Sequence, residues 1–111
     1  MHQEKQKPHI SIVGQRLRER REALGLAQEK VGVAIGLDES SARARISRYE
    51  LGVHEPALAT IRLLCKALDV PMTYLFCEDE DLAELLLSLY RSTPKNRKNI
   101  IRSAIDKIDL I

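Results

Sequence analysis

From about residue 10 onward, apolar side chains recur at spacings of three and four, the period of amphipathic helices. Val13, Leu17 and Leu24 share one face of a first segment from about Ile10 to Leu24, its arginines mostly lie elsewhere, and Gly25 supplies its stop. Val31, Ala34 and Ile35 mark a short second helix from about Gln28 to Ile35, ended by Gly36. A third begins near Asp38, whose side chain can cap it, and runs to about Leu51 before Gly52. Pro56 suits the first position of a fourth helix with Leu58, Ile61, Leu64, Cys65 and Leu68 as its apolar positions. Val70-Pro71 breaks it, and a helical turn from Met72 to Phe76 closes this unit.

Two more helices follow. Asp79 to Tyr90 places Leu82, Leu85, Leu86 and Leu89 on one side, with acidic residues at its positive N-terminal end. Thr93-Pro94 reads as a cap and first helical residue, opening a helix with the stripe Ile100, Ile101, Ala104, Ile105 and Ile108. No segment carries a strand pattern, so the fold is predicted to be all-α. Residues 1–9 are polar, include Pro8 and lack periodicity, and are predicted to be a flexible tail. Lys5 and Lys7 either touch a phosphate backbone or do nothing.

The most informative residues are Gly14 to Arg21, Gly25 to Val31, Ile46 to Gly52 and Glu55 to Leu58. Two short helices joined at Gly36, with one polar face left over, have the form of a helix-turn-helix. Over roughly Ile10 to Phe76 the chain resembles the phage-repressor and Cro-like, Xre-type helix-turn-helix regulators. The resemblance implies a five-helix lambda-repressor-like domain at residues 10–77. Residues 78–111 are then a helical extension.

At about 100° per residue, Ala42, Ile46, Tyr49 and Glu50 share one side of the third helix. Ser40, Ser41, Ala44, Ser47 and Arg48 share the other, with Arg43 and Arg45 flanking it. Small residues let a helix approach a DNA groove, and arginine can donate two hydrogen bonds to guanine. With Ile46 as anchor, the resemblance implies base reading by Arg43, Ala44 and Arg48. It also implies phosphate contacts by Arg45 and Ser47, and a phosphate or base-edge contact by Gln28. Glu50 is then the partner of Arg21 in an ion pair that orients the scaffold. His54 lies in the following loop, where family members touch phosphate; plain solvation is the other reading.

Between Gly36 and Ile46 the chain is about four residues longer than the family spacing, or one helical turn. Either the third helix starts a turn earlier or the connection is longer. In the first case Glu39 reaches the tip of the reading helix and can accept from a cytosine amino group.

Composition narrows the function classes. Apolar residues make up 44% and charged residues 31%, as in globular proteins, while aromatics supply 4%, too few for platforms that stack unpaired RNA bases. Net charge is only +2, but Arg16, Arg18, Arg20, Arg21, Lys30, Arg43, Arg45 and Arg48 crowd the first half. Glu78 to Asp81 form an acidic run in the second half. These are a nucleic-acid face and a partner face, or solvated helix surfaces. Cys65 reads as a core residue, and neither cysteine belongs to a disulfide or metal pattern. His2, His9 and His54 are scattered, and no phosphate-cradling glycine loop is present. No secretory or membrane-spanning segment is evident.

The expectation is therefore a cytoplasmic, non-enzymatic regulator of transcription that binds double-stranded DNA. It should need no cofactor, metal or small-molecule ligand. The leucine and isoleucine stripes of residues 78–111 either form a homodimer or fold back as extra core. A dimeric repressor would occupy near-palindromic half-sites about 34 Å apart, or a multiple of it. The rival class is a protein-interaction module, such as an antitoxin-like partner or adaptor, with the helix-turn-helix as scaffold.

Overall fold

The computed structural model describes residues 11–111, so the predicted tail and its lysines and histidines lie outside the described residues. Among the described residues seven helices follow in order: α1 (Ile12–Ala23), α2 (Gln28–Ala34), α3 (Glu39–Glu50), α4 (Leu58–Leu68), α5 (Met72–Leu75), α6 (Glu80–Arg91) and α7 (Pro94–Asp109). All secondary structure among the described residues is helical.

The first three helices stop by the same chemistry. At the end of α2, Gly36 takes φ +93° while Leu37 N donates to Gly32 O and Gly36 N to Val33 O, each at 3.0 Å. Such a left-handed cap satisfies carbonyls that the helix leaves unpaired, and only glycine adopts it without cost. This turn aims α3 across α2. α4 ends in a similar turn, but on Asp69, with φ +53°.

α1 to α5 enclose one core in which Leu17, Ile46, Leu64, Leu68 and Leu75 are fully buried. α2 and α3 pack backbone to backbone: a Cβ built on Gly32 would lie 2.5 Å from the Cβ of Ala42. The side of α3 predicted to face inward does so, with Ala42, Ile46, Tyr49 and Glu50 all buried.

Several expectations need correction. Asp38 stands at the N-cap of α3 without a side-chain cap bond; its carbonyl instead accepts from Ser41 and Ala42. Pro56 lies two residues before α4, whose N-cap is Ala57, because the first turn of that helix closes only with Ile61 N donating to Ala57 O. Leu24 is exposed, and the buried face of α1 includes Arg16 and Arg20 beside Val13 and Leu17.

α6 meets the core through a side other than its leucine stripe. Ala83 and Leu87 face the core, about a quarter-turn or more from Leu82 and Leu85, which stay about half exposed. Asp79 does cap α6, accepting from Leu82 N at 2.8 Å. Thr93 caps α7, with Pro94 at its first turn. α7 has no buried residue and makes no extensive contact with another helix among the described residues, so its isoleucine stripe faces outward.

Candidate nucleic-acid interface

The four residues beyond the family spacing lengthen the helix, since α3 begins at Glu39 directly after the Gly36 turn. Its outward side displays Ser40, Ser41, Arg43, Ala44, Arg45 and Arg48, all exposed, with Ser47 half-buried at the margin. Among the described residues, no carboxylate pairs with Arg43, Arg45 or Arg48. This face therefore presents unneutralised guanidinium groups between small side chains. A groove-entering helix needs that combination of close approach and strong donors.

The arginines of α1 behave differently, which reduces the basic patch read from the sequence. Arg16, 1% exposed, donates from Nε to Cys77 O at 2.8 Å and from Nη1 to Glu19 and Glu80. Burial alone would lower its pKa, but the hydrogen bonds to Glu80 and Glu19 outweigh that and hold it above the ordinary value. Arg20 is buried and donates to Leu68 O, the last carbonyl of α4. Arg18 is exposed but paired with Glu22, whose carboxyl it holds below the usual range. Lys30 stays exposed on α2.

Behind α3, Arg21 and Glu50 form a two-point pair. Arg21 Nε donates to Glu50 Oε2 at 2.6 Å and Nη2 to Oε1 at 3.0 Å, and the hydrogen bonding keeps the guanidinium pKa raised. Gln28 joins them, its amide nitrogen donating to Glu50 Oε1 at 3.0 Å. Three helices thus meet at one carboxylate, which fixes the start of α2 against the end of α3. One amide hydrogen of Gln28 is committed to this network, so any outside contact must use its other hydrogen or its carbonyl oxygen.

His54 is exposed in the loop after α3, its backbone N–H donating to Arg48 O at 3.3 Å. Cys65 is half-buried, and burial raises its thiol pKa. Among the described residues, no cluster of His, Cys, Asp and Glu could hold a metal ion. No helix of the described residues is long and apolar enough to cross a membrane. The sequence pattern carried no sign of the long-range bonds of Arg16, because their acceptors at Cys77 and Glu80 lie more than sixty residues away.

A family model described as helix-turn-helix matches residues 17–75. An uncharacterized HTH-type transcriptional regulator of Sinorhizobium medicae (strain WSM419) is 35% identical over 78 residues, 68% of this chain and 53% of its own. The HTH-type regulator y4wC of Sinorhizobium fredii (strain NBRC 101917 / NGR234) is 34% identical over 100 residues, 88% of this chain and 64% of its own. The chain thus spans between about half and two thirds of the length of these relatives. The crystal structure of the transcriptional regulator BswR superposes with a TM-score of 0.79 at 39% identity, covering 84% of this chain and 92% of that one.

Proposed function

The chain belongs to the Xre-type helix-turn-helix family, and on that premise we propose that it is a DNA-binding regulator of transcription that acts as a dimer in the cytoplasm. The observation that carries the reading is α3 itself: its buried side is locked into the core, while Arg43, Arg45 and Arg48 stand on the exposed side with no carboxylate partner among the described residues. Arg43, Ala44 and Arg48 read base edges, Arg45 and Ser47 hold phosphates, and Gln28 approaches the backbone or a base edge under the control of Glu50. The residues divide into a DNA-reading domain, 10–77, and a dimerising arm, 78–111. Repression by occupying an operator is the proposed output.

The occupant of the arm's apolar face is a second copy. Leu82 and Leu85 on α6 and Ile100, Ile101, Ile105 and Ile108 on α7 are all 38–64% exposed. Stripes of this size on a small protein mark an interaction surface. Charge supports self-association: Asp81 and Glu84 give α6 acidic groups besides Glu80, which Arg16 already holds, whereas Lys95, Lys98, Arg102 and Lys107 make α7 basic. In a two-fold dimer each surface meets its own copy, so acidic and basic patches on neighbouring helices can pair reciprocally.

The test is a binding titration on a duplex recovered from a random pool, comparing the wild type with the triple variant Arg43→Ala, Arg45→Ala, Arg48→Ala. The reading expects wild-type affinity to fall steeply with salt as phosphate contacts release counterions. It expects the triple variant to lose discrimination between that duplex and random DNA. Equal discrimination by the two proteins would overturn it, and a stoichiometric protein partner that binds both equally would favour the interaction-module reading.

A further inference from the structure

α6 is tied to the DNA-reading domain, and α7 to α6, by two arginines in series. At the first joint Arg16 reaches out of α1 to Cys77 O, just ahead of α6, at 2.8 Å, and to both carboxylate oxygens of Glu80 at 3.1 and 3.2 Å. Its guanidinium also lies over the Tyr74 ring, 5.9 Å from the centroid. At the second joint Arg97 reaches back from α7 to the end of α6, with Nε donating to Leu89 O at 2.9 Å and Nη2 to Tyr90 O at 2.8 Å. It covers the Tyr90 ring at 5.7 Å. A planar, multi-donor guanidinium fixes direction as well as distance, which a lysine ammonium cannot do.

We propose that Arg16 and Arg97 are the residues that set half-site spacing: together they fix the angle at which the arm leaves each DNA-reading domain. This rests on the dimeric reading above. Leverage makes the angle consequential. α7 has 16 residues, so it is ~24 Å long, and a ~10° tilt at its base moves its far end by ~4 Å. That exceeds the ~3.4 Å rise of one base pair. The apolar stripe supplies adhesion between the copies, and the clasps supply the distance between their reading helices.

The test uses the full chain and synthetic duplexes carrying two copies of the selected half-site at stepped separations, with single half-site duplexes as reference. Wild type should lose ~100-fold in affinity two base pairs either side of its preferred spacing, since one copy can then no longer engage. Arg97→Ala should stay within ~3-fold across the same range, because a loose arm lets both copies engage at several spacings. Arg97→Lys should behave like Arg97→Ala, and both variants should keep the dimer mass and wild-type affinity for a single half-site. A wild-type spacing profile in the two variants would overturn the proposal. Loss of the dimer in Arg97→Ala would overturn it equally, since the clasp would then hold the copies together and not space them. If instead the wild type binds paired half-sites no better than one, the dimeric reading fails, and this inference falls with it.

Discussion

Arg21 and Glu50 meet at two points, 2.6 and 3.0 Å apart, with Glu50 almost fully buried and Arg21 mostly so. The pair joins the last turn of α1 to the last residue of α3, and Gln28 brings the start of α2 to the same carboxylate. Removing one member of such a pair leaves the other charge without a partner in a poorly solvated place. Glu50→Gln should therefore cost about 3 kcal/mol of unfolding free energy, measured by urea denaturation. A loss under about 0.5 kcal/mol, the range of an exposed pair, would show that the pair does not hold the scaffold.

At Gly32 helix propensity and packing predict opposite signs. On propensity alone, Gly32→Ala should stabilise α2 by about 1 kcal/mol. The new Cβ, however, would meet Ala42 Cβ at 2.5 Å and the Ala42 carbonyl oxygen at 2.9 Å, so α2 and α3 would have to move apart. Overpacking of this kind costs about 1–3 kcal/mol, so the variant should melt below the wild type. A higher melting temperature would mean that the α2–α3 crossing is looser than described.

The exposed polar residues of α3 should separate into two classes. If Arg43 or Arg48 reads a guanine, its replacement by alanine should cost about 1–3 kcal/mol on the preferred site and relax selection at one base position. Arg45→Ala should weaken binding to all sequences alike and reduce the slope of log affinity against log salt by about 1. Competition titrations against duplexes substituted one position at a time distinguish the two. An Arg43→Ala or Arg48→Ala profile parallel to wild type would remove that residue from base reading.

The arm makes a prediction that leaves the reading domain intact. Because α7 contributes nothing buried to the chain's own core, Ile101→Glu with Ile105→Glu should not lower the unfolding temperature of dilute protein. It should convert a dimer into a monomer by sedimentation and weaken operator binding, while helical content stays unchanged. A doubly substituted chain that still dimerises would place the interface elsewhere, and a monomeric wild type would contradict the dimeric reading itself.

The helices were legible in the sequence wherever a local signal exists. Gly25, Gly36 and Gly52 stop their helices, Thr93-Pro94 opens α7, and the inward face of α3 follows from period alone. Its period places α3 from about Asp38 to Leu51, close to its observed span, whereas spacing alone leaves the matter open, because an added turn of helix and an added turn of loop contain the same residues. The roles of Arg16 and Arg20 were hidden for another reason. Their acceptors are carbonyls and a carboxylate far along the chain, and a buried arginine looks like an exposed one until those acceptors are placed. The α6 leucines left a different question open. Their spacing defines an apolar face correctly, but not whether that face meets its own chain; Ala83, a small residue, lets α6 sit against the core instead.

The most direct test of the central claim is selection of bound duplexes from a random DNA pool at physiological salt, with the mass of the complex determined on the winning site. A dimeric operator-binder should yield a near-palindromic consensus occupied by two chains, its half-sites separated by about 34 Å or a multiple of it. Failure to enrich any sequence above non-specific binding would contradict that reading, and would leave the arginines of α3 without the role assigned to them.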